Sequence, residues 1–153
     1  MKTKLLAVVL LVVGWGCSGA YDSPEMKVRY QPPHGTRLLE EQPGPPRVAR
    51  FSSGLEIRSV NAQPPAIEEG KLEALLAQVS PGIKGDIINA RMGTLDAGRV
   101  VRWSIKEAEG RTLIYYLPRT DRYLVLSLSA PDSRFATLES QFELSLATLK
   151  IRD

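Results

Sequence analysis

The second half of the chain has the most regular pattern of hydrophobic and polar positions. Apolar residues occupy every second position in four segments, which are DIINARMGTL, RVVRWSIKEA, RTLIYYLP and RYLVLSLSA. The short turn sequences DAG, EAEG and PRTD separate these segments. A period of two interrupted by such turns predicts a four-stranded antiparallel meander with one strongly apolar face.

Tight turns at DAG and EAEG would fix the register of the first three of these strands. This register places Trp103 opposite Tyr115 on the apolar face. On the other face it places both Arg91 and Tyr116 opposite Arg102. Like charges directly across a strand pair destabilise a sheet. Arg91, Arg102 and Tyr116 therefore form a candidate binding patch that could receive an anionic group of a partner. We favour the alternative that the arginines meet a carboxylate from another segment or remain solvated, since Arg stems also cover apolar sheet.

Two further segments have the period of an amphipathic helix. The first precedes the meander, and the second follows Pro131 and carries Glu139 and Glu143 opposite its apolar stripe. The apolar positions are Ile67, Leu72, Leu75, Leu76 and Val79 in the first segment, and Phe135, Leu138, Phe142, Leu146 and Leu149 in the second. The spacing predicts two helices, and we expect the second to cover the sheet.

The segment between residues 26 and 60 predicts shorter strands. MKVRY alternates and predicts a first strand, and RVARF and LEIRSV predict a hairpin around the SSG at residues 52–54. EEQPGPP, at residues 40–46, predicts a loop because four of its seven residues are turn formers. Together the elements predict an α+β fold, with an antiparallel sheet of about five to seven strands flanked by two α-helices.

The first sixteen residues predict an export signal. MKTK supplies a positive start, LLAVVLLVV is an apolar core of nine residues, and small residues follow it. A spanning helix needs about 20 apolar residues, so this segment is too short to be one. We expect residues 1–16 to be removed as a signal peptide.

The end of this signal resembles that of bacterial lipoproteins, in which a branched aliphatic residue and then one or two small residues precede an acylated cysteine. Gly16 and Cys17 match that pattern, while Gly14 and Trp15 depart from it. The resemblance implies a lipid on Cys17, and Ser18 after it implies an outer-membrane location facing the periplasm. The alternative is an ordinary signal peptide, with Cys17 lost or left as a free thiol. The small polar residues that follow predict a flexible tether over residues 17–25, before a single domain at residues 26–153.

Charge excludes one class of partner. The 153-residue chain has a net charge of +3, but removal of Lys2 and Lys4 with the leader leaves 18 basic and 17 acidic side chains. A nearly balanced domain has no electrostatic basis for binding nucleic acid. No run of like charges marks a polybasic membrane segment.

The sequence offers no constellation for catalysis. His34 is the only histidine and Cys17 the only cysteine, so we expect no metal site and no cofactor. Neither G-x-S-x-G nor a glycine-rich phosphate loop is present in the sequence. We therefore expect a protein that is not an enzyme.

The order of elements resembles the PsbP/DcrB-like superfamily. The segment that carries the resemblance is GRVVRWSIKEAEGRTLIYYLPRTDRYLVLSLSAPDSRFATLESQFELSLATL, at residues 98–149. The resemblance implies an antiparallel sheet flanked by helices and a role in binding rather than catalysis. We expect a lipid-anchored binding or assembly module of a larger complex in the bacterial envelope, with a protein partner. The alternative is a carrier that holds a small apolar or amphipathic ligand between the sheet and the helices.

Overall fold

The computed structural model describes residues 19–153, which form ten strands and two helices. The predicted signal peptide and Cys17 lie outside the described residues. The strands are β1 (Tyr21–Ser23), β2 (Val28–Tyr30), β3 (Leu38–Gln42), β4 (Arg47–Phe51), β5 (Leu55–Val60), β6 (Asp86–Leu95), β7 (Gly98–Lys106), β8 (Gly110–Pro118), β9 (Tyr123–Pro131) and β10 (Lys150–Ile151), and the helices are α1 (Leu72–Val79) and α2 (Asp132–Leu146).

The strands form two antiparallel sheets. The main sheet has seven strands in the order β3-β4-β5-β9-β8-β7-β6, and the small sheet has three in the order β1-β2-β10. Helix α2 and the small sheet pack on one face of the main sheet, and α1 packs on the other. The predicted α+β class, an antiparallel sheet flanked by two helices, is confirmed.

The predicted meander is present as β6 to β9, but one of its two proposed registers is wrong. Between β6 and β7, Arg91 lies opposite Arg102, as predicted. Between β7 and β8, Trp103 lies opposite Ile114 and Arg102 lies opposite Tyr115. The turn is one residue shorter than assumed, because Glu107 N donates to Gly110 O at 2.9 Å. A shift of one residue moves every side chain of β8 to the other face.

Both faces of the meander are therefore apolar, which corrects the prediction of a single apolar face. Residues of β7, β8 and β9 are buried in consecutive runs, as in strands covered on both sides. The α1 face includes Val101, Trp103, Ile105, Ile114, Tyr116, Tyr123 and Val125. The α2 face includes Val100, Leu113, Tyr115, Leu117, Leu124, Leu126 and Leu128.

The first ordered strand begins earlier than the predicted domain boundary. Tyr21 lies in β1, where the flexible tether was predicted to continue to residue 25, and it is 8% exposed. Its ring meets that of Phe51 edge-on at 5.2 Å, and its hydroxyl donates to Glu41 at 2.6 Å. Aromatic burial and this hydrogen bond hold the segment against the domain.

The hairpin predicted around residues 52–54 is confirmed as β4 and β5. Gly54 adopts φ +76° in its turn, and a Cβ there would lie 1.9 Å from the Ser129 carbonyl oxygen. Only glycine permits both the backbone conformation and this approach to β9. The loop predicted at residues 40–46 is wrong in its first part, because residues 40–42 belong to β3 and pair with β4.

The two helices follow their apolar spacing. In α2 the buried side chains include Phe135, Phe142 and Leu146, and these pack on the main sheet as expected. The predicted first helix is shorter, since α1 starts at Leu72 and leaves Ile67 in the preceding segment. Neither helix within residues 19–153 is long and apolar enough to cross a bilayer.

Candidate functional site

Arg102, a member of the predicted patch, lies in the centre of β7 and binds side chains of this same chain. Its Nε donates to Glu143 Oε1 at 2.8 Å, and its Nη2 donates to Glu139 Oε1 at 2.6 Å. Arg102 is only 8% exposed. Both carboxylates come from α2. The sequence pattern had placed them on the side of the helix that faces away from the sheet, but in the structure they reach Arg102 on the sheet.

Tyr115 takes the place that was predicted for Tyr116. Arg102 Nε also donates to the Tyr115 hydroxyl at 3.2 Å, and that hydroxyl donates to Glu143 Oε1 at 2.9 Å. Tyr116 lies on the other face, where its hydroxyl donates to the Pro65 carbonyl at 2.6 Å. The corrected register of β8 explains the exchange.

The contacts of this network shift the pKa values of Arg102 and Tyr115. Burial opposes the charged form of Arg102, but the contributions of Glu143 and Tyr115 outweigh it, so the pKa of Arg102 lies above its usual value. Burial, and after it the hydrogen bond to Glu143, raises the pKa of Tyr115 to about 12. The network keeps Arg102 charged and Tyr115 neutral, and it leaves Arg102 little capacity for an outside anion.

Arg91 remains as the exposed member of the predicted patch. It lies beside Arg102 on β6 and forms no ion pair with another residue in the range 19–153. A shallow groove of about 320 Å³ connects the two arginines along β6 and continues to Leu95 and Tyr115. The structure thus joins Arg91 and Arg102, separates Tyr116 from them, and adds Tyr115, Glu139 and Glu143.

The strand that carries Arg91 is one of the two edges of the main sheet, and β3 is the other. Of the described strands, β6 pairs only with β7, and it extends over ten residues. Ile88 and Met92 on this strand are 53% and 41% exposed, although both are large and apolar. An edge strand presents unpaired backbone donors and acceptors, so β6 can accept a further strand.

Charges of both signs lie along this edge. A second shallow groove of about 550 Å³, beside the start of α1, is lined by Glu69 and Glu73 together with Arg91. A bulge between Ile87 and Asn89 bends the start of β6, after which the pairing with β7 is regular to Leu95. The edge therefore offers backbone groups, apolar side chains and a charge pattern that an added strand would have to match.

A larger cleft of about 610 Å³ lies between the small sheet and the opposite edge of the main sheet. Its apolar lining includes Tyr21, Pro32, Leu38 and Phe51. Strand β3 borders this cleft and is exposed along its whole length. This cleft is a half-open surface feature, whereas the regions between the main sheet and the helices are filled by buried side chains.

His34 lines neither of the two grooves nor the cleft, although Pro32, Gly35 and Thr36 of its loop border the cleft. It is exposed in a turn closed by the hydrogen bond from Thr36 N to Pro33 O at 3.0 Å. Residues 19–153 contain no group of three or more His, Cys, Asp or Glu side chains placed to hold a metal ion.

Sequence reasoning missed Tyr115, Glu139 and Glu143 as partners of Arg102. Glu139 and Glu143 are spaced by four residues on α2, and the two hydrogen-bond Arg102 together from one side of the helix. The spacing indicates that both carboxylates lie on one side of α2. Which residue of the sheet they meet depends on how α2 is oriented on the sheet, which the sequence does not show.

No model of a known protein family matches the chain, and no curated protein matches it in sequence. The chain is similar in structure to cyanobacterial PsbP (CyanoP) from Synechocystis sp. PCC 6803, which was determined in solution. The TM-score is 0.58 at 13% sequence identity, and the match covers 91% of this chain and 96% of that chain. At this identity the likeness concerns the fold alone, and on that basis the chain has a PsbP-like α+β fold.

Proposed function

We propose that this protein is a lipid-anchored lipoprotein of the bacterial envelope that acts as a non-catalytic binding or assembly module of a larger membrane-associated complex. The observation that carries the binding role is the open edge of β6. An edge of ten residues with two exposed large apolar side chains is a surface that proteins otherwise shorten, charge or cover. Pairing with a partner strand would cover it.

The anchor in this proposal rests on the amino-terminal sequence. The apolar core at residues 5–13, followed shortly by Gly16 and Cys17, supports lipidation, and the lone cysteine has no second thiol with which to form an internal disulfide. Several acyl chains on one residue hold a protein firmly, since each buried CH₂ contributes about 0.8 kcal/mol. The outer membrane, facing the periplasm, is the location that Ser18 favours.

The edge is tested by capture of partners from solubilised membranes. Lysine at Ile88 and at Met92 places charge on the edge, and we expect this double variant to lose the proteins that copurify with the wild type. Leu144→Lys is the matched control, because Leu144 is 77% exposed on α2 and lies away from β6. Recovery of the wild-type chain alone, under several growth conditions, would contradict the proposal.

The anchor is tested separately by metabolic labelling with palmitate. We expect label on the wild-type chain and none on Cys17→Ser, and sensitivity of processing to globomycin. Label that persists in Cys17→Ser would refute acylation at this residue while leaving the edge experiment unaffected.

The cleft beside β1 and β3 favours a second candidate function, that of a carrier for a small apolar or amphipathic ligand. Its volume of about 610 Å³ and its aromatic lining suit such a ligand. Native mass spectrometry of the purified protein tests this candidate. A carrier is expected to show additional bound mass that Leu38→Lys removes, and a spectrum of the bare chain alone would count against it.

A further inference from the structure

The small sheet brings together basic residues from the two ends of the described chain. Arg29 on β2 lies directly opposite Lys150 on β10. Lys27 and Arg152 flank them, and the Arg152 amide donates to the Lys27 carbonyl at 2.8 Å. All four residues are exposed. We call these four residues, Lys27, Arg29, Lys150 and Arg152, the basic face.

The basic face is only partly neutralised by its neighbours. Asp22 lies directly opposite Arg29 across the β1–β2 pair and accepts two hydrogen bonds from Arg152 Nη2, at 2.9 and 2.8 Å. Glu25 is the other acidic residue of this hairpin, and Asp153, which forms an ion pair with Arg119, also attracts Lys27. Arg29 and Lys150 form no ion pair with any residue of the described range. Two cations directly across a strand pair repel each other, so a bound external anion would reduce the repulsion between Arg29 and Lys150.

The other side of the small sheet is fixed against the domain. Val28 and Tyr30 are fully buried, and the Tyr30 hydroxyl shares a hydrogen bond with Ser145 on α2. The buried Arg122 guanidinium donates to the carbonyls of Met26 and Arg152. The basic face is therefore a rigid surface whose orientation is that of the whole domain.

The chain connects this surface directly to the predicted anchor. Tyr21 at the start of β1 is only four positions after Cys17, so even an extended chain between them spans about 14 Å or less. Because this length is only the upper limit of the separation, the tether lets the domain approach the bilayer to within the Debye length of about 8–10 Å in physiological salt. A lipid on Cys17 would thus keep the basic face within electrostatic reach of the bilayer surface.

We propose that the basic face docks on anionic phospholipid headgroups and orients the anchored domain on the membrane. This inference rests on the lipid anchor of the proposed function and adds a second membrane contact. Each Lys or Arg near an anionic surface shifts the ratio of docked to free domain about fivefold. The two unpaired cations alone, Arg29 and Lys150, correspond to a ratio of roughly 25-fold.

Lysine acetylation tests the docking in the lipidated full chain. The protein is inserted into vesicles of phosphatidylcholine with one quarter phosphatidylglycerol, or of phosphatidylcholine alone, and mass spectrometry follows the acetylation of each lysine. We expect Lys27 and Lys150 to react at least fivefold more slowly on the anionic vesicles, and 0.5 M NaCl to abolish the difference. Lys84, exposed and unpaired within the described chain, is the internal control whose rate stays unchanged.

Matched variants connect the protection to the basic face. Arg29→Gln is expected to reduce the protection of Lys27 and Lys150 about fivefold, whereas Arg134→Gln, which removes an exposed cation on α2, leaves it unchanged. Equal acetylation on both kinds of vesicle would overturn the docking. Protection that requires added envelope proteins would overturn the choice of lipid in favour of an acidic protein partner.

Flotation of the same samples separates this inference from the anchor. If the wild type floats with both kinds of vesicle and Cys17→Ser does not, the anchor stands whatever the acetylation pattern. A wild-type chain that fails to float would refute the anchor, and the docking inference with it.

Discussion

The two faces of the main sheet hold their helices by different chemistry. On the α1 face, neutral and charged side chains of the sheet reach backbone carbonyls at the two ends of the helix. Trp103 Nε1 donates to Leu72 O at 3.0 Å, and Arg58 Nη2 donates to Val79 O at 2.6 Å. On the α2 face, the central contact is the network of Arg102 with two glutamates of the helix.

The difference follows from the length of the helices. Helix α1 has eight residues, too few to be stable on its own, and the hydrogen bonds to its first and last residues fix both of its ends. Helix α2 has fifteen residues and packs through an apolar stripe, so its charged contact is added to an existing interface. We infer that removal of side-chain volume weakens the α1 face most, and removal of charge weakens the α2 face.

The largest effect is expected from Trp103→Ala. Trp103 is fully buried and donates to the start of α1, so the change creates a large cavity and removes the side-chain hydrogen bond to the Leu72 carbonyl. We expect the free energy of unfolding to fall by about 3–5 kcal/mol in urea denaturation. Trp103→Phe keeps much of the volume and should cost clearly less. A loss below about 1 kcal/mol for the alanine variant would show that α1 contributes little to the fold.

The next effect is expected from Arg102→Ala. The change leaves Glu139 and Glu143 next to each other without their cation, and because both carboxylates are about one third exposed we expect a loss of about 2–3 kcal/mol. Further changes of both glutamates to Gln should restore part of the loss, since they remove the repulsion. Arg91→Ala is the matched control, expected within about 0.5 kcal/mol of the wild type. An equal loss in both arginine variants would mean that the network is not what stabilises the α2 face.

The smallest effect is a comparison of the two tyrosines at high pH. Burial is the main cause in each case, and it raises the pKa of Tyr115 and that of Tyr116 to about 12, against about 10 in an unfolded chain. Their contribution to stability is complete below pH 10 and is lost as the pH rises through 12, because the unfolded chain releases these protons first. Phenylalanine at either position should make the alkaline loss of stability shallower.

The change in ultraviolet absorbance as tyrosine ionises to tyrosinate measures this titration. Only Tyr115→Phe should also reduce stability at pH 7 through the Arg102 network, because its hydroxyl contacts both Arg102 and Glu143. Tyr116→Phe removes a single hydrogen bond to Pro65 O, worth about 1 kcal/mol. If the two variants lost the same stability at pH 7 and showed the same dependence of stability on alkaline pH, the assignment of the tyrosines to different faces would be contradicted.

The register of β8 shows where prediction from the sequence fails. Alternating residues are a weak guide when both faces are apolar, because TLIYYL fits the sheet equally well after a shift of one residue. The adjacent register, between β6 and β7, was predicted correctly and brought Arg91 opposite Arg102. The error in β8 exchanged Tyr115 for Tyr116 and hid a satisfied network behind an apparent binding patch.

The sequence by itself determined the local elements of this protein. Its periods predicted the meander, the hairpin and the terminal helix, because the burial of alternate or helically spaced residues depends on nearby positions alone. Only the tertiary structure decided which charges meet. Glu139 and Glu143 reach Arg102 through the packing of a helix on a sheet, and Arg29 meets Lys150 across 121 positions of the chain. Such contacts depend on how distant elements pack, which no local pattern of residues encodes.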